Sequence, residues 1–236
     1  MAGALLAWSG ADLLASRWTP EILALTHLLT LGFMLQAMCG ALFQFIPVAV
    51  GGNVWRPTLV ANVLQPLLNV ATLLLVAGLL FSHPGLLAFA VPLFLVALGG
   101  FVVVVALSVW RTPATGMTLW AMRMAIAGLA VTVLLGTLLA ETLAHGLALP
   151  VVELTNVHLA WGLGGWALML LAGVSYQVVP MFQLTRPYPA WFARWFGPVL
   201  LLLVVSYSAQ LLFDDPAWLP SVTLALLLVL PAYAGT

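Results

Sequence analysis

Long apolar runs, separated by short polar connections, form most of the chain. An α-helix rises about 1.5 Å per residue, so about 20 apolar residues cross the hydrocarbon core of a membrane. The runs are continuous and lack the alternation of apolar and polar positions that a half-buried strand requires. The pattern predicts an all-α fold, a polytopic transmembrane bundle whose seven membrane-spanning helices lie at 22–46, 58–81, 86–110, 117–141, 155–180, 194–213 and 217–235.

The two ends of the chain differ from these runs. Residues 1–16 are apolar but short, and Asp12 interrupts them, so they resemble the outer half of a helix whose beginning is missing. The run 217–235 has no polar flank at its end. We therefore expect that both ends are cut. The first residues carry no basic stretch, which predicts that there is no cleavable signal peptide.

Composition supports the membrane assignment. Hydrophobic residues make up 64% of the chain and charged residues 5%, which is too little charge to cover the outside of a soluble domain. The formal net charge is zero, and this argues against nucleic acid as a partner. Cys39 is the only cysteine in the sequence, so the chain forms no disulfide within itself.

Two of the predicted helices share a motif. Residues 27–47 and 158–180 each begin with a histidine and end on the pattern G-x-x-[aromatic]-Q-x-[β-branched]-P. The histidine precedes the glycine by 13 residues in the first copy and by 15 in the second. An Arg-Pro pair follows each copy. The shared pattern predicts an internal duplication.

The charges predict an orientation in the membrane. All basic residues except Arg17 lie in or beside connections on one side, and all the acidic residues lie on the other. Positively charged loops stay in the cytoplasm, so we expect a protein of the bacterial cytoplasmic membrane. The two histidine helices then run in the same direction, four crossings apart, which predicts two parallel four-helix repeats, 1–111 and 112–236. The loops expected in the cytoplasm are 47–57, 111–117 and 182–194.

The histidine that begins each motif is the main candidate for chemistry. His27 and His158 lie near the outer ends of their helices. Imidazole is costly in hydrocarbon unless it has a partner, and neutral imidazole is a common axial ligand of haem iron. At matching depth on related helices, these two residues are candidate haem and metal ligands. Small residues that would admit either a porphyrin or a neighbouring helix follow the second histidine, namely Gly162, Gly164 and Gly165.

Structural interpretations of these histidines stay open. A histidine in a membrane helix also commonly bonds to a neighbouring helix. His83 and His145 share the outer face and lie in turns, either as solvated loop residues or as part of a copper or zinc site. The Gly-Gln-Pro endings lie a membrane thickness away, and we interpret them as structural, with the proline stopping each helix.

A stripe of amides is a second candidate feature. Asn62, Gln65 and Asn69 share roughly one face of the helix predicted at 58–81. Such a stripe either joins helices by hydrogen bonds or lines a wet cavity. The residue types favour neither interpretation over the other.

Parallel four-helix units, each with a histidine near the outer end of its second helix, resemble the catalytic subunit of haem–copper oxidases. With 1–16 counted as a shortened first helix, the resemblance implies that His27 occupies a haem-ligand position. It places His158 on the sixth helix, where the oxidases carry a copper ligand. That ligand is followed there by proline and tyrosine, whereas this chain continues Leu159-Ala160-Trp161-Gly162.

The departures from the oxidases exclude their copper centre. The seventh helix offers Ser206-Tyr207-Ser208 in place of a histidine pair, so no copper site is expected. The chain is more similar to oxidase-like bacterial membrane proteins such as the NnrS family, which keep haem-binding histidines without the full catalytic set. This resemblance implies haem b as the cofactor, held by His27 and His158.

Three functions are consistent with these features. The first is a membrane haem protein related to haem–copper oxidase subunit I, acting in electron transfer or in nitric-oxide or redox response. The second is a transporter or channel for small solutes or ions, lined by Asn62, Gln65, Asn69 and Gln177. The third is a non-catalytic membrane assembly subunit. No motif of a soluble enzyme occurs, so the question of an enzymatic activity stays open.

The expected partners follow from the membrane assignment. The lipid bilayer surrounds the helices. Two arcs of helices without a third leave apolar faces exposed, so association with another membrane subunit or with a second copy is expected.

Overall fold

The computed structural model describes residues 2–3, 5 and 16–213, and it confirms an all-α architecture for that part of the chain. Six of its helices are long and apolar enough to cross a membrane, as expected of a multi-pass membrane protein. Six of the seven predicted spans are therefore found as helices. The seventh, 217–235, and nearly all of 1–16 lie outside the described residues. The six helices are α1 Pro20–Val50, α2 Pro57–Leu80, α3 Pro84–Arg111, α4 Met117–His145, α5 Val151–Gln183 and α6 Ala190–Phe213.

Local sequence signals set the helix boundaries. Thr19 caps α1, its Oγ1 accepting a hydrogen bond from the Ile22 amide at 3.4 Å, and Pro20 follows in the first turn, where its missing N–H costs nothing. At the other end, Gly51 closes α1 in the left-handed conformation with φ of 63°, and Gly146 closes α4 in the same way. These residues account for the ends of the predicted spans.

Consecutive helices pack against each other along the chain, from α1 on α2 to α5 on α6. Short loops join them, so neighbours run antiparallel and the loops alternate between two ends of the bundle. We call these the histidine end, which carries His27, His83, His145 and His158, and the arginine end, which carries Arg56, Arg111, Arg186 and Arg194. Fully buried side chains form the core between the helices, among them Leu42, Ile46, Val105, Met122, Ile126 and Met169.

Tryptophans mark the ends of the helices, as the sequence predicts. Trp18 is 40% exposed at the histidine end, and Trp55 is 61% exposed at the arginine end. Exposed aromatic side chains at both ends of a helical bundle are typical of the two membrane–water interfaces. The large apolar side chains exposed between them, such as Phe33 and Phe89, form a surface suited to lipid.

Two helices contain an internal π-helical stretch that the sequence pattern did not predict. In α1 this stretch is Thr30–Leu35, and in α5 it is Trp161–Leu168. Each begins three residues after a histidine, His27 in one helix and His158 in the other. Apolar periodicity cannot distinguish a π turn from an α turn, because both bury the same residue types. π-helical turns occur frequently at functional sites.

The interpretation of the Gly-Gln-Pro endings needs two corrections. Pro47 and Pro180 do not stop their helices, because α1 continues to Val50 and α5 to Gln183. The chain tolerates each proline close to a helix terminus, where few backbone bonds are lost.

The glycines of the two endings also play different roles. Gly173 of α5 lies so close to α4 that a Cβ atom there would stand 2.7 Å from the Cβ of Ala121. A Cβ atom at Gly40 of α1 would meet nothing within 4 Å. Gly173 is therefore a helix contact, and Gly40 is not.

Candidate functional site

His27 is half-buried on α1, near the histidine end. Its Nδ1 lies 2.8 Å from the carbonyl oxygen of Leu23, one turn earlier in the same helix. A carbonyl oxygen only accepts hydrogen bonds, so a neutral imidazole in this contact carries its proton on Nδ1. The lone pair then resides on Nε2, as it does in most metal-binding histidines.

His158 is held in the same way by another helix. Its Nδ1 lies 3.1 Å from the carbonyl oxygen of Thr132 on α4, so its Nε2 also keeps the lone pair. Gly136, one turn further along α4, leaves room for the ring: a Cβ atom there would stand 2.9 Å from the His158 Cε1. The sequence-predicted histidine is therefore oriented by two positions of α4 that sequence reasoning missed.

The structure brings the two histidines together across the histidine end. His27 and His158 lie within range of a direct electrostatic interaction. A hydrogen bond ties the same two helices together above them: the Arg17 Nη1 donates to the Asn156 Oδ1 at 2.9 Å. Arg17 also lies over the ring of Trp18, 4.6 Å from its centroid. The start of α1 and the start of α5 are therefore joined beside the histidine pair.

The glycines of α5 are helix contacts, not space for a cofactor. A Cβ atom at Gly165 would stand 3.6 Å from the Gly128 Cα of α4, and one at Gly164 would stand 2.9 Å from a methyl group of Val204 on α6. Gly162 faces Thr132 of α4 in the same manner. Of the two predicted roles, the approach of neighbouring helices is the one that these glycines fulfil.

A buried amide on α6 lies beside this region and was not predicted. The Trp161 Nε1 donates to the Ser208 Oγ at 3.0 Å, which joins α5 to α6 one turn below His158. Gln210, two residues further on, is only 6% exposed, and its amide has no hydrogen-bond partner within the described part of the chain. A glutamine in an otherwise apolar helix was the signal for it. An unpaired buried amide is costly, so this position favours a polar group close to it.

The other two histidines at this end have local roles. His83 caps α3, its Nδ1 accepting from the Leu86 amide at 3.3 Å. His145 is 56% exposed and its Nδ1 lies 2.8 Å from a Glu141 carboxylate oxygen, one turn earlier in α4. No three His, Cys, Asp or Glu side chains are grouped to hold a metal ion among the described residues. The structure does not bring the four histidines together as a copper or zinc site.

The predicted amide stripe lies on the outside of the bundle. Asn62, Gln65 and Asn69 are all exposed on α2. The Gln36 Nε2 of α1 donates to the Asn69 Oδ1 at 2.7 Å, so one amide of the stripe joins two helices. Gln177 is exposed on α5. The stripe therefore serves helix joining at Asn69, and its other members face outward.

Comparison of the chain with known protein families, with curated proteins and with solved structures finds no match. The chemistry of the site is therefore argued from its side chains alone. Two neutral imidazoles, each with Nδ1 bonded to a carbonyl oxygen and each with Nε2 left as a donor of an electron pair, suit a metal centre that takes one ligand from each of two helices. The donor set fits an axially ligated haem iron.

Proposed function

We propose that this protein is a membrane haem protein in which His27 and His158 supply the axial ligands of a b-type haem. The observation that carries the proposal is the shared orientation of the two imidazoles, whose Nδ1 atoms bond to the carbonyl oxygens of Leu23 and Thr132. Side chains that serve packing alone have no reason to leave two such lone pairs near each other in an apolar region.

The chain's own residues would hold and tune this site. The two carbonyl acceptors fix the ring orientations and make each imidazole a better electron donor at Nε2. The apolar helices around the pair exclude water, which is one of the ways in which a protein sets a haem potential. Haem supplies reversible one-electron chemistry and, with an open position, binding of diatomic gases. We therefore propose a role in electron transfer or in nitric-oxide or redox response.

We also propose the finer architecture that the sequence predicts. In it, 1–111 and 112–236 are two parallel four-helix repeats related to haem–copper oxidase subunit I and to the NnrS family, with seven spans and the histidine end outside the cytoplasm. The π-helical stretches support the duplication, since each begins three residues after the histidine of its own motif. The distribution of arginines supports the orientation in the bacterial cytoplasmic membrane.

An absorption spectrum of the purified protein tests the haem proposal. After expression with added haem precursor, we expect a Soret band and a b-type pyridine haemochrome spectrum. His27→Ala and His158→Ala should each remove or shift the Soret band. The matched controls are His83→Ala and His145→Ala, which change exposed histidines at the same end of the bundle and should leave the spectrum unchanged. A haem-replete preparation without Soret absorbance would rule the proposal out.

A further inference from the structure

A cavity lies between α1, α2 and α3, well away from the histidine pair. It encloses about 130 Å³. For comparison, an apolar cavity of about 150 Å³ in a helical protein holds one molecule of benzene, so this space suits a single six-membered ring. The side chains on which the following argument depends are Gln36, Cys39, Gly40, Phe43, Gln65 and Phe101.

Most of the cavity wall is apolar, with amides on two sides. Phe43 of α1 and Phe101 of α3 meet edge to face, their ring centroids 5.5 Å apart, and this pair offers aromatic surface to a flat ring. Gln36 approaches from α1 and Gln65 from α2. No charged side chain lines the space, so the wall suits a neutral molecule.

The two amides have hydrogen-bonding capacity to spare. Gln36 uses one N–H on Asn69 and keeps its second N–H and its carbonyl oxygen. Gln65 makes no side-chain hydrogen bond within the described residues. An amide in hydrocarbon is costly unless it is paired, so a molecule that carries oxygen atoms would be held here in preference to a purely apolar one.

The cavity opens sideways toward lipid. Gly40 and Gln65 line it and are both exposed. Gln65 lies eight residues into α2, or about 12 Å along the helix from the arginine end. At this depth the surroundings are hydrocarbon and not water. A ligand would therefore enter from the bilayer and leave any long apolar tail outside.

We propose that this cavity is a binding site for the ring of a membrane quinone or quinol. That class of molecule is neutral, has one small ring with oxygen atoms on opposite sides, and carries an apolar tail that stays in lipid. Each property meets a feature of the cavity: its volume, its two amides and its lateral opening. The site is separate from His27 and His158, and its ligand needs no haem to bind.

Titration of decylubiquinone into the protein in lipid nanodiscs, followed by calorimetry, tests the proposal. The ring of this compound is fully substituted, so it does not add to the Cys39 thiol at the cavity wall. We expect saturable binding that Gly40→Leu weakens by about tenfold or more, because the new side chain fills the cavity. Gly99→Leu is the matched control, since a Cβ atom at either glycine meets nothing within 4 Å and Gly99 does not line the cavity.

A second pair of variants tests the amides without filling the space. Gln65→Leu keeps the approximate side-chain size and should weaken binding about three- to tenfold, whereas Asn62→Leu on the same helix should leave it unchanged. His27→Ala should also bind the quinone normally, so failure of the haem proposal is distinguishable from failure of this one. The proposal is overturned if the unsubstituted protein shows no saturable binding, if Gly40→Leu binds as well as Gly99→Leu, or if decanol competes as effectively as the ring compound.

Discussion

A methyl group on Gly128 of α4 would overlap the backbone of Gly165 in α5, with the Gly165 carbonyl as its nearest neighbour. The two helix backbones are therefore in direct contact at this point. Thr132, one turn along α4 from Gly128, accepts the hydrogen bond from His158, and Gly136, a further turn along, leaves room for its ring. The helix crossing and the orientation of the histidine depend on the same face of α4.

Substitution of Gly128 is expected to destabilise the bundle. Gly128→Ala forces α4 and α5 apart, and overpacking of this kind costs about 1–3 kcal/mol. Chemical unfolding in detergent micelles measures the free energy of unfolding. Gly99→Ala is the control, because its new methyl group enters open space. Equal stability of the two variants would contradict the proposed backbone contact.

Substitution of Gly136 is expected to act on His158 directly. In Gly136→Ala the new Cβ would stand 2.9 Å from the His158 Cε1, so the ring must shift away from Thr132. We expect a lower Soret absorbance per protein, or a shifted band, in the haem-loaded protein. Gly99→Ala should leave the band in place. An unchanged spectrum in Gly136→Ala would mean that the position of this ring does not matter to the cofactor.

The contact between Arg17 and Asn156 is expected to contribute to the joining of α1 and α5. A double-mutant cycle with Arg17→Ala and Asn156→Ala should give a coupling free energy of about 0.5–1 kcal/mol. Unfolding in detergent provides the four free energies. Arg56→Ala combined with Asn156→Ala is the comparison, since Arg56 also lies over a tryptophan ring but at the opposite end. Additive effects of Arg17→Ala and Asn156→Ala would show that the two side chains do not interact in solution.

Removal of the Ser208 hydroxyl is expected to destabilise the contact between α5 and α6. Ser208→Ala leaves the Trp161 Nε1 without its acceptor, and an unpaired donor of this kind costs about 1–3 kcal/mol. Ser206→Ala, on the same helix, should cost less. Adding Trp161→Phe to Ser208→Ala removes the donor as well and should recover part of the loss. Unfolding curves that show no recovery would assign the loss to packing.

The proposed orientation is expected to decide which loops react from outside the cell. In a Cys39→Ala background, Ser82→Cys lies at the histidine end and Asn53→Cys at the arginine end. A membrane-impermeant maleimide added to intact cells should label the first variant and not the second. Permeabilised cells should allow labelling of both. The reverse pattern would invert the orientation that the arginines predict.

Single residues illustrate how far sequence reasoning reached. It identified His27 and His158, because ionisable groups stand out in apolar helices. It misinterpreted Pro47, because a proline pattern does not reveal whether the last turn continues beyond it. It left open whether Gly165 admits a cofactor or a helix, since both need a residue without a side chain.

The sequence by itself determined the class of the protein and the positions of six helices, because the length and apolarity of a membrane span are local properties of the chain. Only the tertiary structure decided which atoms are available for chemistry. The free Nε2 of His158 depends on a carbonyl of Thr132, 26 positions away, and the cavity beside Gln36 depends on three helices meeting. Such contacts join residues that are distant in the sequence, and no pattern along one helix contains them.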